Sequence, residues 1–338
     1  MATNPIPAAL SVSARKPGRQ KPVLYAGFLL AVLGVVAVAV ILVFMTIELR
    51  GNLGYILPRR AIKVGSMVLV AVAVGLSTVL FQTVTANRIL TPSIMGFDAL
   101  YILLQTVLTF VLGGQVVLSM VAPLKFGLEV LLMVAFSLLL YRWLFTGNGK
   151  SLHLMLLVGI VFGTLFRGVS ALMQRLMDPS EYLLLQDLFF ASFNQVDGTL
   201  LLVAIAAVVL VSIPAWRMRR EYDVLALGRE TSINLGVDHR RAATVTLVIC
   251  SVLVAVSTAL VGPITFFGLL VASLAYQLVP KFTHAVVLPV AILLGVISLV
   301  GGQLVLERIF DFNSALSIVI EFIGGLVFIG LLLKGSLK

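Results

Sequence analysis

Apolar runs recur along almost the whole of this chain, near positions 23–47, 62–86, 93–112, 117–141, 152–175, 197–214, 242–261, 265–279, 284–305 and 315–333. A helix needs about 20 mostly apolar residues to cross the hydrocarbon core of a bilayer. Runs of that length, bounded by charge, Pro or Gly, predict an all-α polytopic membrane protein with about ten transmembrane helices. Composition agrees: the chain is 60% hydrophobic and 11% charged, whereas soluble domains run at about 45–50% and about 25%. The runs use up the chain, so one membrane domain over 23–334 is expected behind a basic tail at 1–22.

That tail carries Arg15, Lys16, Arg19 and Lys21. The apolar run behind it exceeds the roughly 7–15 residues of a signal-peptide core, which predicts an uncleaved first helix. The net charge of +10 is scattered among loops between apolar spans, a pattern of topology signals and not of a nucleic-acid surface. Placing both termini in the cytoplasm puts the Arg-rich insertion 217–241 on the same side as the tail, as the positive-inside rule favours. That insertion is the one inner loop long enough to fold into helices outside the bilayer, where a partner could bind. The semi-polar stretch 177–197 predicts a short re-entrant or surface helix near the outer mouth.

Chemistry-bearing motifs are sparse. The GNGKS at Gly147–Ser151 lacks the upstream Gly of a phosphate-binding loop and follows a membrane helix, not a strand. It is expected to be a turn, and the chain to hold no ATPase of its own. His153, His239 and His284 lie on separate segments without a carboxylate or thiolate at ligand spacing, and the single Cys250 sits in an apolar run. No metal site and no catalytic constellation is expected. Ionisable groups within spans point to function by default. Lys125 and Glu129 are four apart on one helical face and are expected to pair. Glu307 lies near the end of a span, and Glu321, mid-span without a local partner, is the candidate for lining a polar pathway or subunit interface. Gly159 and Gly163 form a GxxxG, expected to pack helices closely.

Three segments, in order, resemble the FecCD-type permeases of iron-siderophore, haem and vitamin B12 importers. The first is Leu57-Pro58-Arg59, then Gln82, Asn87, Pro92 and Gly96, in the places of that family's second span and the turn after it. The second is the coupling segment, with Leu227-Gly228, Glu230 and Leu235-Gly236-Val237. The third is GPITFFGLL from Gly262, where Ala272-Ser273 replaces the family's usual Pro-His; Glu321 likewise stands where a small residue is usual, and Leu326 where Pro is usual. These departures resemble the ferric-siderophore branch more than the cobalamin one.

The resemblance implies a type II ABC importer permease. Two separate ATPase subunits would grip the coupling segment and use ATP and Mg. A periplasmic or lipid-anchored binding protein would dock on Arg59 and Arg308, with Arg60 as a neighbour, and a second permease, by this resemblance a paralogue, would complete the pathway. Gln82, Asn87, Pro92, Gly96 and Glu321 are its candidate pathway residues. The chain itself would bind no cofactor, since iron travels inside the siderophore, and it would sit in the bacterial cytoplasmic membrane as a transport subunit, not an enzyme. The rival is an ion-coupled secondary transporter, which needs acids in broken helices near the midplane; a haem or cobalamin importer is the other alternative.

Overall fold

The computed structural model describes residues 22–48, 52–145, 152–279, 283–309 and 316–333. It is helical throughout these residues: α1 (Pro22–Thr46), α2 (Leu53–Thr85), α3 (Phe97–Leu112), α4 (Gly114–Ser119), α5 (Ala122–Phe145), α6 (Leu152–Leu176), α7 (Pro179–Gln186), α8 (Gly198–Arg217), α9 (Arg219–Leu225), α10 (Arg229–Asn234), α11 (His239–Val261), α12 (Phe267–Leu278), α13 (His284–Ile309) and α14 (Leu316–Leu333). Among the described residues, seven helices are long and apolar enough to cross a membrane: α1, α2, α5, α6, α8, α11 and α13. The other three expected spans fall on α3, α12 and α14. At 16 and 12 residues, α3 and α12 are about 24 and 18 Å long, short of a core roughly 30 Å thick.

One expectation shifts. The run 117–141 is not one span: α4 ends at Ser119, the backbone is extended at Met120, and α5 begins at Ala122. Pro123 explains the break, because proline has no N–H to bond back to the preceding turn and fits best in the first turn of a helix, where it sits in α5. Leu57-Pro58-Arg59 lies inside α2, which starts at Leu53 under a cap from the Asn52 side chain to Gly54 N, 3.0 Å. Pro58 forfeits one bond, to the Gly54 carbonyl, a single turn from the helix start.

The fold is organised around α2 and α11, the two most buried spans, with α13 and α12 packed on α2 and with α5 and α8 on α11. α1 is apolar all round and largely exposed, as a lipid-facing helix should be. α2 and α13 run antiparallel and approach through small residues: Gly75 lies against the Ala291 backbone and Gly295 against Ala71. Two small residues four apart on each helix allow this close crossing. At one end of the molecule, called upper here, Lys63 of α2 pairs with Glu307 of α13, which also accepts from Gln303 Nε2 at 2.5 Å. At the lower end, Thr83 of α2 meets His284 of α13. The pair is thus tied at both ends and in the middle.

The stretch 177–197 contains α7 and a short 3-10 turn at Asp187–Phe189, in agreement with a surface element. Glu181 of α7 accepts from Gly114 N, so the element is clasped to the start of α4. Asp178 and Asp197 cap α7 and α8. Backbone N–H groups of Leu200 and Thr199 hold the Asp197 carboxyl below the ordinary carboxylate range. GNGKS lies outside the described residues, as does the side chain of His153.

Candidate functional site: two polar ends and a hydroxyl-lined middle

The insertion 217–241 folds, as its sequence predicts, into two short helices at the lower end, α9 and α10. The turn between them is set by Gly228 and the exit from α10 by Gly236, at φ +96° and +83°, a region where a β-carbon is strained. Leu227 is 59% exposed, Ile233 52% and Leu235 59%. Three large apolar side chains facing outward on a polar segment mark a contact surface more than a solvated loop. Glu230 is exposed in the first turn of α10, where its charge complements the helix N-terminus. Val237 instead packs against the core. The candidate coupling residues therefore divide into an outward face (Leu227, Glu230, Leu235) and its supports (Gly228, Gly236, Val237).

The segment is anchored inward by a polar chain that runs from half-buried Asp223 to the buried His284 and Thr83. Asp223 of α9 accepts from His284 N at 2.7 Å and lies 2.7 Å from His284 Nδ1. Nε2 of the same ring is 2.7 Å from Thr83 Oγ1, and the Tyr222 ring packs 5.6 Å from the imidazole. A second tie joins Ser232 Oγ to His239 Nδ1 at 3.1 Å, linking α10 to the start of α11.

At the upper end, a basin of about 680 Å3 is lined by Tyr55, Arg59, Arg60, Lys63, Asn194, Asp197 and Glu307, among others. Its arginines do different things. Arg59 is exposed, its guanidinium 4.4 Å over the Tyr55 ring. Arg60 turns back and donates to the carbonyls of Phe44, Met45 and Ile47 at 3.0, 3.2 and 2.7 Å, closing the end of α1. Arg308 donates to Glu48 at 2.7 Å. Arg59 alone of the three candidate docking residues has a charge not already committed to a carboxylate or to backbone carbonyls.

Starting beside Thr83 at the lower end, the turn after α2 carries Asn87, Pro92 and Gly96, with Gln82 in the last turn of the helix before it. Ala86 is left-handed (φ +49°) and Asn87 N donates to Gln82 O at 3.1 Å. Gln82 Nε2 donates to Arg88 O at 2.6 Å, and Asn87 Oδ1 accepts from Ile89 N at 3.0 Å. Both side chains spend hydrogen bonds on the turn. Pro92 opens a 3-10 turn, Pro92–Met95, that ends at Gly96. A β-carbon on Gly96 would stand 3.0 Å from Gly163 Cα, and one on Gly159 would stand 3.2 Å from the Met95 backbone. The GxxxG of α6 thus packs on this turn, not on another long helix. Beside it lies a cavity of about 20 Å3 whose lining combines seven Ser and Thr residues (Ser77, Thr78, Thr91, Ser93, Ser257, Thr258 and Thr265) with Pro92 and aliphatic residues such as Val70, Val254 and Ile264. That is room for one water with ample partners.

Thr265 joins two carboxylates from different helices, its hydroxyl donating to Asp98 Oδ2 at 3.0 Å and its N–H to Glu321 Oε1 at 3.4 Å. Arg167, within electrostatic reach of Asp98, is exposed at the centre of the apolar stretch Leu157–Leu176 of α6. A charge at that depth does not face lipid chains without large cost. Lys125 and Glu129 pair at 4.0 Å as their spacing predicts, and Glu129 also accepts from Gln105 Nε2 at 2.6 Å.

Sequence reasoning missed Asp98, Arg167, Thr265, Asp223 and the role of His284. Arg167 carries a usable signal, a lone basic residue between LVGIVFGTLF and GVSALM inside the run 152–175.

Comparison with known proteins agrees with this arrangement. The FecCD transport family model matches residues 22–334. The petrobactin import system permease protein YclO of Bacillus subtilis is 45% identical over 305 residues, covering 90% of this chain and 96% of that protein. The petrobactin import system permease protein FatC of Bacillus anthracis is 35% identical, covering 82% and 79%. A solved inward-facing structure described as a metal-chelate type ABC transporter superposes with a TM-score of 0.80 at 21% identity, over 91% of this chain and 99% of that one; it shares the fold. By the extent of these matches, the chain belongs to the FecCD transport family.

Proposed function

We propose that this chain is one permease subunit of an ATP-binding-cassette importer that moves a ferric siderophore across the bacterial cytoplasmic membrane by alternating access. The observation that carries the proposal is the lower end: α9 and α10 hold Leu227, Ile233 and Leu235 outward on a segment tied into the core, a surface suited to a groove on an ATPase. The relatives above supply the chemical class, both being petrobactin import permeases, so ferric petrobactin is the first substrate to test. Iron enters as cargo inside its chelator.

The lower end is cytoplasmic in this proposal, because Arg217, Arg219, Arg220, Arg229, Arg240 and Arg241 gather there, and both termini share that side. Two ATPase subunits supply ATP hydrolysis with Mg. A second permease, a paralogue, faces this one across the pathway; an identical copy is the alternative. α6 and α14 line that pathway, since Arg167 and Glu321 place charge on faces that lipid would penalise. The binding protein docks at the upper end through carboxylates directed to Arg59, and to Arg308 once Glu48 yields it.

Co-expression with the cognate ATPase tests this directly. The wild-type chain is expected to retain the ATPase through affinity purification, and Leu227→Asp with Leu235→Asp to release it. A chain that accumulates substrate in vesicles without any ATPase, driven by an ion gradient, would overturn the assignment in favour of a secondary transporter.

A further inference from the structure

We infer that His284 is a positioning residue that joins the ATPase-facing segment to α2 and α13, and that these two helices act together as a strut between the lower and upper faces. The inference rests on the functional proposal above, in that α9 and α10 are where the ATPase docks.

Three contacts meet on one buried residue. Nδ1 faces Asp223 of α9 at 2.7 Å, Nε2 faces Thr83 Oγ1 of α2 at 2.7 Å, and the backbone N–H donates to the same Asp223 oxygen at 2.7 Å. His284 is the first residue of α13, so Asp223 also satisfies an otherwise orphaned N–H at that helix start, where its charge is favoured. An ionised carboxylate only accepts, which places a proton on Nδ1. The Thr83 hydroxyl has one proton and two partners in reach, Nε2 and the Val79 carbonyl at 2.9 Å. His284 thus ties α9 to α13 through both its ring and its backbone N–H, and its imidazole alone carries the tie on to Thr83 of α2.

What the ring holds is stiff. Above it, α2 and α13 cross through Ala71, Gly75, Ala291 and Gly295 and are closed by the Lys63–Glu307 pair. Close-packed small residues and tied ends leave little room for sliding, so a displacement of α9 passes to both helices as a unit. At the upper end the same two helices carry Arg59 and Arg308, the candidate contacts for the binding protein. One two-helix element thus spans from the ATPase surface to the docking arginines.

The test uses the assembled complex of both permeases, ATPases and binding protein in proteoliposomes, reading ferric petrobactin accumulated per ATP hydrolysed. His284→Ala and Thr83→Val are expected to assemble and hydrolyse ATP but to accumulate about tenfold less chelate per ATP, the effect of losing a coupling interaction of ordinary size. Thr83→Ser, which keeps the hydroxyl, is expected to match wild type. Thr83→Val nearly preserves side-chain shape and carries the test if the histidine variants do not fold. If wild type couples transport to ATP and these variants couple equally well, the strut assignment is wrong while the importer assignment stands. If the wild-type complex hydrolyses no ATP, or accumulates no chelate with ATP, the functional proposal fails first and takes the inference with it.

Discussion

Alanine at Gly295 should destabilise the protein although it replaces the poorest ordinary helix former with the best. A β-carbon there would stand 3.0 Å from Ala71 Cβ and 3.3 Å from Ala71 Cα, so α2 and α13 must separate by a few tenths of an ångström along a crossing that also includes Gly75 and Ala291. Overpacking of this kind costs about 1–3 kcal/mol. The opposing gain in helix propensity is at most about 1 kcal/mol, and less in detergent, where a span stays helical after tertiary contacts are lost. The net expectation is a loss of about 1–2 kcal/mol. Gly301→Ala is the control, because among the described residues its β-carbon meets only Val40 Cγ1 at 3.7 Å; it should be neutral or stabilising. Cys250, the sole cysteine, is buried in α11, so a thiol-reactive fluorophore reports unfolding during a temperature ramp. The clash is specific to one pair, so Ala71→Gly should restore the midpoint of Gly295→Ala. Equal midpoints for Gly295→Ala and Gly301→Ala, or no rescue by Ala71→Gly, would refute the close crossing.

Other variants separate roles that the sequence merges. Arg59→Glu should weaken binding-protein affinity roughly tenfold without moving the unfolding midpoint, because it reverses a rim charge that steers docking; surface plasmon resonance on the reconstituted complex reads this. Arg60→Ala should instead lower the midpoint, since three carbonyls at the end of α1 lose a charged donor worth about 1.5–3 kcal/mol, and leave docking affinity close to wild type. Asp197→Ala should cost about 1 kcal/mol as the lost cap of α8. Because hydrogen bonds depress the folded pKa of Asp197, its contribution is complete above the unfolded value of about 3.9 and fades only as pH falls through the folded one, so Asp197→Ala should lose its penalty in strong acid. Lys63→Ala should be worse than Lys63→Ala with Glu307→Gln, because the single change strands a half-buried carboxylate.

Much of the fold was legible because membrane spans announce themselves by length and apolarity within a single window. The insertion 217–241 was legible as a long, Arg-rich polar stretch able to fold outside the bilayer, and its two Leu-Gly pairs, eight residues apart, were legible as a coupling segment only through the family resemblance. Lys125 and Glu129 could be paired from spacing alone. The ties that give the site its shape could not. Lys63 and Glu307 are 244 residues apart, Thr83 and His284 201, Asp223 and His284 61, and no periodicity relates them. His284 looked isolated for that reason. Gln82 and Asn87, candidate pathway residues, also spend side-chain hydrogen bonds on a turn, and the cavity beside that turn takes seven of its lining residues from serines and threonines that are unremarkable in any one helix. The break in the fourth expected span was visible in Pro123 but was outweighed by the apolar run around it. Arg60 and Arg59, adjacent in sequence, point to different work because successive positions on a helix face different surroundings.

The central claim is that ATP hydrolysed at the lower end drives import of a ferric chelate. Its most direct measurement is uptake of radioiron-labelled ferric petrobactin into proteoliposomes holding the assembled complex, with and without ATP and with ion gradients collapsed. Accumulation that requires ATP and the binding protein, survives collapse of the gradients, and is abolished by Leu227→Asp with Leu235→Asp is the predicted result. Accumulation that proceeds without ATP and stops when the gradients are collapsed would contradict it.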